Sequence, residues 1–211
     1  ANPAFMTVAK AADLNSGETE NFAFDLASVG DYSDWGYDET SGELAAKTGT
    51  EKVFATVDAS AFSATVKIKG LINGGAKCPA SGLVLRNGNN MVRVLLRVNT
   101  DNWCDIFMPC DGLNGGYKNS GISFGTNNPF TQSDGTAKLT VARVYGTFFI
   151  YVNDVKVAEF GDNETFVSWG GQKINTIGEY LGSGNLTVGL CSDYDGTAYS
   201  AGVNDCGKFS Q

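Results

Sequence analysis

The strongest constraint in this chain is an alternation of apolar and polar residues with period two, repeated along the sequence and cut by short turns. Phe62, Ala64, Val66 and Ile68 alternate with Ser63, Thr65, Lys67 and Lys69, which describes a strand with one buried and one wet face. Residues 91–98 repeat the pattern, with Val92, Val94, Leu96 and Val98 on one side and Arg93, Leu95 and Arg97 on the other. That run is expected to continue through Trp103 to Phe107. Asn73-Gly74, Asn87-Gly88, Tyr145-Gly146, Asn153-Asp154 and Asp195-Gly196 supply turns between such runs.

Further strands are predicted at 82–86, 138–143, 148–152, 155–160, 186–191 and 198–203, with a short one at 122–124 inside a long loop spanning 110–135. Loops of that length inside a compact domain tend to carry function. Helix is predicted only at 4–14 and around 176–181, neither long enough to organise the fold. Glycine is abundant, 27 residues, whereas proline is scarce at 4, a balance that fits many tight turns and not a disordered chain. About a dozen strands without a linker or repeat therefore predict one all-β domain, a two-sheet antiparallel sandwich covering residues 1–211.

The chain has no histidine. Imidazole-based triads, imidazole zinc sites and the usual physiological pH switch are excluded with it. A net charge of −8 argues against a nucleic-acid partner and against an anionic membrane surface. No stretch approaches the ~18 consecutive apolar residues of a membrane helix, so a soluble chain, without membrane insertion, is expected. Five cysteines (Cys78, Cys104, Cys110, Cys191, Cys206) lack zinc-site spacing. Buried thiols, or loop-closing disulfides such as Cys104/Cys110 and Cys191/Cys206, are the plain reading.

The strand order, carried by "WGYDETSGELAAKTG", "FSATVKIKG", "SGLVLRNGNNMVRVLLRV", "AKLTVARVYGTFFIYVNDVKVAEF" and "LTVGLCSDYDGTAYS", resembles the concanavalin A-like lectin/glucanase superfamily. The resemblance covers roughly residues 22–203 and implies a jelly-roll of the laminin-G-like kind. It spans glycan-binding modules, hydrolases, lyases and adhesion domains, so it marks fold more than activity. The hydrolase string E-x-D-x-x-E, which sets acid and nucleophile on one strand face, is absent, and the lyase histidine is missing. A noncatalytic carbohydrate-binding module is therefore expected, with a laminin-G-type adhesion domain or an enzyme with an unfamiliar carboxylate pair as alternatives. An extracellular setting, a polysaccharide or glycan partner and a place within a larger protein follow from that expectation.

Sugar sites combine aromatic platforms with planar hydrogen-bonding groups. Trp103, Tyr117 and Trp35 are the candidate platforms, and Arg93, Arg97 and Asn99 the candidate polar contacts. Trp169, Phe149 and Tyr151 are further aromatics that fit either a surface or simple packing. The four arginines (Arg86, Arg93, Arg97, Arg143) all fall on predicted strands. Their forked guanidinium groups suit either an acidic glycan, held by Arg93 and Arg97, or carboxylates on neighbouring strands. Asp193 and Asp195 before Gly196 are a candidate structural calcium site, although Asp-Gly is first of all a turn signal. No other cofactor is implied. Two sequons, Asn163-Glu164-Thr165 and Asn185-Leu186-Thr187, are short enough to arise by chance.

Overall fold

The computed structural model describes residues 4–11, 14, 20–23, 35–46, 51–71, 79–98, 104–111, 117–118, 122–125, 136–168, 171–194 and 206–211. Of these, 20–23, 35–36, 45–46, 51–55, 70–71, 79, 98, 111, 117–118, 193–194 and 206–207 are described by their backbone alone. The strands are β1 (Ala4–Lys10), β2 (Glu20–Ala23), β3 (Trp35–Asp38), β4 (Glu43–Ala46), β5 (Glu51–Asp58), β6 (Ala61–Leu71), β7 (Pro79–Asn87), β8 (Asn90–Val98) and β9 (Cys104–Asp111). They continue with β10 (Tyr117–Lys118), β11 (Ser123–Gly125), β12 (Thr136–Val144), β13 (Thr147–Val152), β14 (Val155–Gly161), β15 (Thr165–Val167), β16 (Lys173–Thr176), β17 (Asn185–Tyr194) and β18 (Cys206–Ser210). One short helix, α1 (Ile177–Leu181), lies between β16 and β17.

Two nine-stranded sheets form the sandwich. Sheet A runs β14-β13-β12-β6-β18-β4-β3, with β1 also on β6 and β2 on β1. Sheet B runs β16-β15-β10-β9-β8-β7-β17-β5, with β11 also on β9. Every described pairing is antiparallel, from β1 with β2 to β8 with β9. The all-β, two-sheet antiparallel sandwich predicted from the alternation is thus the observed architecture.

The core sits between the sheets. Phe62, Ala64, Val66 and Ile68 of β6 meet Leu83 and Leu85 of β7, Val92, Val94 and Leu96 of β8, Leu139 and Val141 of β12, and Phe148 and Ile150 of β13, all buried. Removing those side chains from water is the dominant stabilising term, about 1.5–3 kcal/mol for each large one. The helix closes one end. Thr176 caps its start by accepting Glu179 N–H at 3.1 Å, and Ile177, Tyr180 and Leu181 enter the core. Its last carbonyls are held by the β7–β8 hairpin, Asn87 donating to Leu181 O at 2.8 Å and Asn90 to Tyr180 O at 3.0 Å.

Three expectations are corrected. Residues 4–10 form β1 and not a helix, because Phe5-Met6 and Val8-Ala9 are buried as adjacent pairs on an irregularly paired strand. That spacing imitates the i, i+3, i+4 pattern of a helix. The run from Met91 does not continue to Phe107: β8 ends at Val98 and β9 returns antiparallel, Val98 opposite Cys104. The last described strand is β18, beyond the predicted 198–203 segment, which lies outside the described residues. Cys104 and Cys110 cannot form a disulfide, because six residues of one extended strand separate them by about 20 Å; both are buried thiols in the core.

Candidate functional site

β7 and β8 form a hairpin whose turn is permitted by Gly88 at φ +59°. Their inward residues fill the core, so alternation turns Val84 and Arg86 of β7, and Met91, Arg93, Leu95 and Arg97 of β8, to the outside of sheet B. Cross-strand pairing puts Arg97 opposite Ala80, Arg93 opposite Val84 and Met91 opposite Arg86. β9 then sets Asp105 opposite Arg97 and Phe107 opposite Leu95. Three of the chain's four arginines therefore share one face on two adjacent strands.

This face is not the open wet surface that the sequence predicts. Ala80, Val84, Met91, Leu95 and Cys191 are no more than 5% exposed and, with Phe107 packed against them, make a second, smaller apolar layer outside the main core. The arginines and Phe107 are half-buried at its edge, and the Nε atoms of Arg86 and Arg93 are buried. Arg97 shows how the edge is built. Its guanidinium lies 4.0 Å above the Phe107 ring and grips Asp105 with two bonds, Nε to Oδ1 at 2.9 Å and Nη2 to Oδ2 at 2.7 Å. Aromatic face, fixed guanidinium and fixed carboxylate thus come together within one cross-strand pair and its neighbour. Asp105 thus supplies Arg97 with a carboxylate from a neighbouring strand, one of the two partners that the sequence suggests for it.

The other candidates fall in different places. Tyr117 opens β10 opposite Pro109 of β9, which lies along that strand between Cys110, the partner of Val92, and Phe107, the partner of Leu95. Trp35 does not join them, because its strand β3 ends the strand order of the other sheet. Trp103, Asn99 and Trp169 lie outside the described residues. Asp193 pairs with Ala80 inside β17, and Asp195, with the turn expected at Asp195-Gly196, lies outside the described residues. Among the described residues no three His, Cys, Asp or Glu side chains converge as a metal site would require.

Sequence reasoning missed Asp105 and Phe107 as members of the site. Their signal was the reversal between β8 and β9, since only the hairpin register brings them beside Arg97 and Leu95. The fourth arginine is structural. Arg143 is 3% exposed and donates to Ala59 O at 2.7 Å, to Gly182 O at 3.1 Å and to both carboxylate oxygens of Asp162 at 3.1 and 2.8 Å.

Burial, with a smaller contribution from the Asp105 charge, pushes the Cys104 thiol above its ordinary range, so Cys104 is poorly suited to act as a nucleophile.

No family model matches the chain, and no curated protein matches it. Among solved structures, sheep galectin-11 in complex with glycerol is similar at 10% identity, covering 70% of this chain and 92% of that one, with a TM-score of 0.37. A Bacteroides ovatus chain described as xyloglucan PUL GH43B is similar at 13% identity over 90% of this chain and 34% of that one, TM-score 0.39. The kappa-carrageenase of Pseudoalteromonas carrageenovora, in complex with an oligotetrasaccharide of kappa-carrageenan, is similar at 10% identity over 79% of this chain and 64% of that one, TM-score 0.39. This chain thus spans about a third of the second protein and slightly under two thirds of the third.

Proposed function

We propose that this chain is a noncatalytic carbohydrate-binding module acting outside the cell, with its ligand face on the outer side of sheet B. The observation that carries the reading is the gathering of Arg86, Arg93 and Arg97 on one face beside Phe107 and Asp105. A guanidinium locked to a carboxylate offers fixed donors and acceptors without net charge, which suits the hydroxyl groups of a neutral sugar. The partly exposed Phe107 ring beside it suits the C–H face of the sugar. The reading needs no cofactor.

The test is a glycan array with an insoluble-polysaccharide pull-down, using the full chain, Arg93→Ala, Phe107→Ala and Trp103→Ala. Neutral-glycan binding that persists in 0.5 M salt and weakens about tenfold or more in Arg93→Ala and Phe107→Ala, with melting temperatures close to that of the parent, supports the proposal. A blank array for plant, storage and host glycans refutes it. Turnover of any polysaccharide in a reducing-sugar assay would replace it with an enzymatic reading.

A further inference from the structure

The hairpin between β12 and β13 turns on Tyr145-Gly146, both at positive φ, +39° and +94°. Glycine takes that conformation freely and asparagine or aspartate with little strain, whereas a bulky side chain enters it only at a cost. The other end of β13 shows the cheaper solution: Asn153-Asp154 turns the chain into β14 at +52° and +67°. A tyrosine at 145 therefore brings the turn no advantage. Nor does it pack: the residue is 76% exposed, and among the described residues no ring or hydrogen-bond partner holds its side chain. The fold does not explain a strained backbone carrying an unburied aromatic ring, and such outliers gather where ligands are held.

The neighbouring turns hold this tip in place. Tyr145 N–H donates to Ser60 O at 2.8 Å, which ties the hairpin to the β5–β6 turn. Gly146 O accepts from Asp162 N–H at 2.9 Å, and Arg143 grips both the Asp162 carboxylate and Ala59 O. Beyond Asp162 the chain closes a turn, Glu164 N–H donating to Gly161 O at 3.1 Å, and Asn163 stands exposed at its corner. A Cβ on Gly161 would lie 2.6 Å from Asn163 Oδ1 and 3.8 Å from the Gly146 carbonyl oxygen. The bare glycine thus lets the Asn163 carboxamide lie toward the hairpin tip, and among the described residues no hydrogen bond occupies it. An unpaired planar amide and an unpaired aromatic ring sit on adjoining turns that are bonded to each other.

We propose that this end of the sandwich is a second carbohydrate contact, in which Tyr145 stacks on the C–H face of a neutral sugar and the Asn163 carboxamide meets its hydroxyl groups. The surroundings select that ligand. Asp58 and Glu164 are exposed on the same cluster of turns, which disfavours an anionic polymer. A protein partner calls for an apolar patch of a few hundred Å², but of the exposed large apolar side chains among the described residues only Val144 adjoins Tyr145. An amide offers both donor and acceptor, as a hydroxyl does. Arg143, 3% exposed, lies beneath the tip and does not touch the sugar. The ligand class rests on the reading of the chain as a carbohydrate-binding module, while the site itself is separate from the sheet B face.

The experiment is a set of depletion isotherms of the full chain on insoluble cellulose, chitin, mannan and starch, with Tyr145→Asn, Tyr145→Phe, Asn163→Ala and Arg93→Ala alongside. Tyr145→Asn and Asn163→Ala are each expected to weaken binding about fivefold, the scale of one aromatic contact or one hydrogen bond. Tyr145→Phe keeps the ring and is expected to bind as the parent does. Because asparagine suits positive φ, Tyr145→Asn is expected to melt no lower than the parent, so loss of binding cannot be attributed to unfolding. Parental binding by Tyr145→Asn overturns the proposal. So does a lower melting temperature in that variant, which would show that the tyrosine serves the fold. Loss in Tyr145→Asn with parental binding in Arg93→Ala upholds this site and overturns the sheet B face, and the converse overturns this site alone. Absence of binding to all of these polymers overturns both.

Discussion

Replacing Arg143 tests whether the end of the sandwich is held by one buried guanidinium. The side chain joins three separate pieces: the β5–β6 turn through Ala59 O, the segment after α1 through Gly182 O, and the turn after β14 through Asp162. Its side chain is 4% exposed and that of Asp162 is 30% exposed. In Arg143→Met most of the volume stays, so the loss is chiefly polar. Breaking a buried ion pair costs about 3–5 kcal/mol, and water reaching Asp162 moves this pair toward the lower end. Two carbonyls losing a charged donor pull the other way, at roughly 1 kcal/mol or more each. A net loss of about 3–4 kcal/mol is expected, a fall in melting temperature of roughly 6–16 °C for a domain of this size. Asp162→Asn, which keeps an acceptor, should lose less, about 1–2 kcal/mol. Urea unfolding of both variants and of the double variant measures these values and the coupling between them. A loss under about 1 kcal/mol in Arg143→Met, the range of an exposed pair, would refute the reasoning.

Gly82→Ala is expected to be among the most damaging single changes, because its Cβ would fall 1.9 Å from the Val94 carbonyl oxygen; a soluble variant with a parental melting temperature would show that the β7–β8 contact yields. Gly88→Ala meets no atom within 4 Å but carries φ +59°, so a loss of about 1 kcal/mol is expected by urea titration. Cys104, Cys110 and Cys191 are buried and should resist a thiol reagent at pH 8 in the native protein, then react in denaturant; mass spectrometry showing native labelling of any of them would contradict their placement. Hydrogen bonds from the Ser60 hydroxyl and backbone N–H hold the Asp58 carboxyl below its ordinary range. A depressed folded pKa gives stability that is present above the unfolded value, near pH 4, and is lost as pH falls below it. Asp58→Ala should therefore flatten the fall in melting temperature between pH 4 and pH 2, and an unchanged acid profile would count against that role.

The strands that sequence reveals best are those with one buried and one wet face. β6 alternates cleanly because Thr65 and Lys67 reach water while Ala64 and Val66 do not. The hairpins at Tyr145-Gly146 and Asn153-Asp154 were legible because their residues accept positive φ, +39°, +94°, +52° and +67° in order, as two-residue hairpin turns require. β1 was not legible, since adjacent buried residues erase the alternation. The arginine face was half legible. Alternation places Arg93 and Arg97 together on β8, but the partner of Arg97 depends on where β9 turns back, and periodicity within one strand carries no register between strands. The buried layer beneath them was hidden for a related reason: Val84 and Leu95 are apolar on the face that the pattern assigns to solvent, and only packing decides which side of a doubly buried strand is the interior.

The central claim is that the arginine-bearing face of sheet B meets sugar, and the most direct measurement follows the arginine Nε–H resonances during titration with an array-selected neutral oligosaccharide. The chain has four arginines, so four signals can be assigned by single Arg→Lys replacements. Saturable shifts of the Arg93 and Arg97 signals, with the signal of the buried Arg143 unmoved, are the predicted result. Shifts confined to other residues while Arg93 and Arg97 stay fixed at saturation would contradict the account.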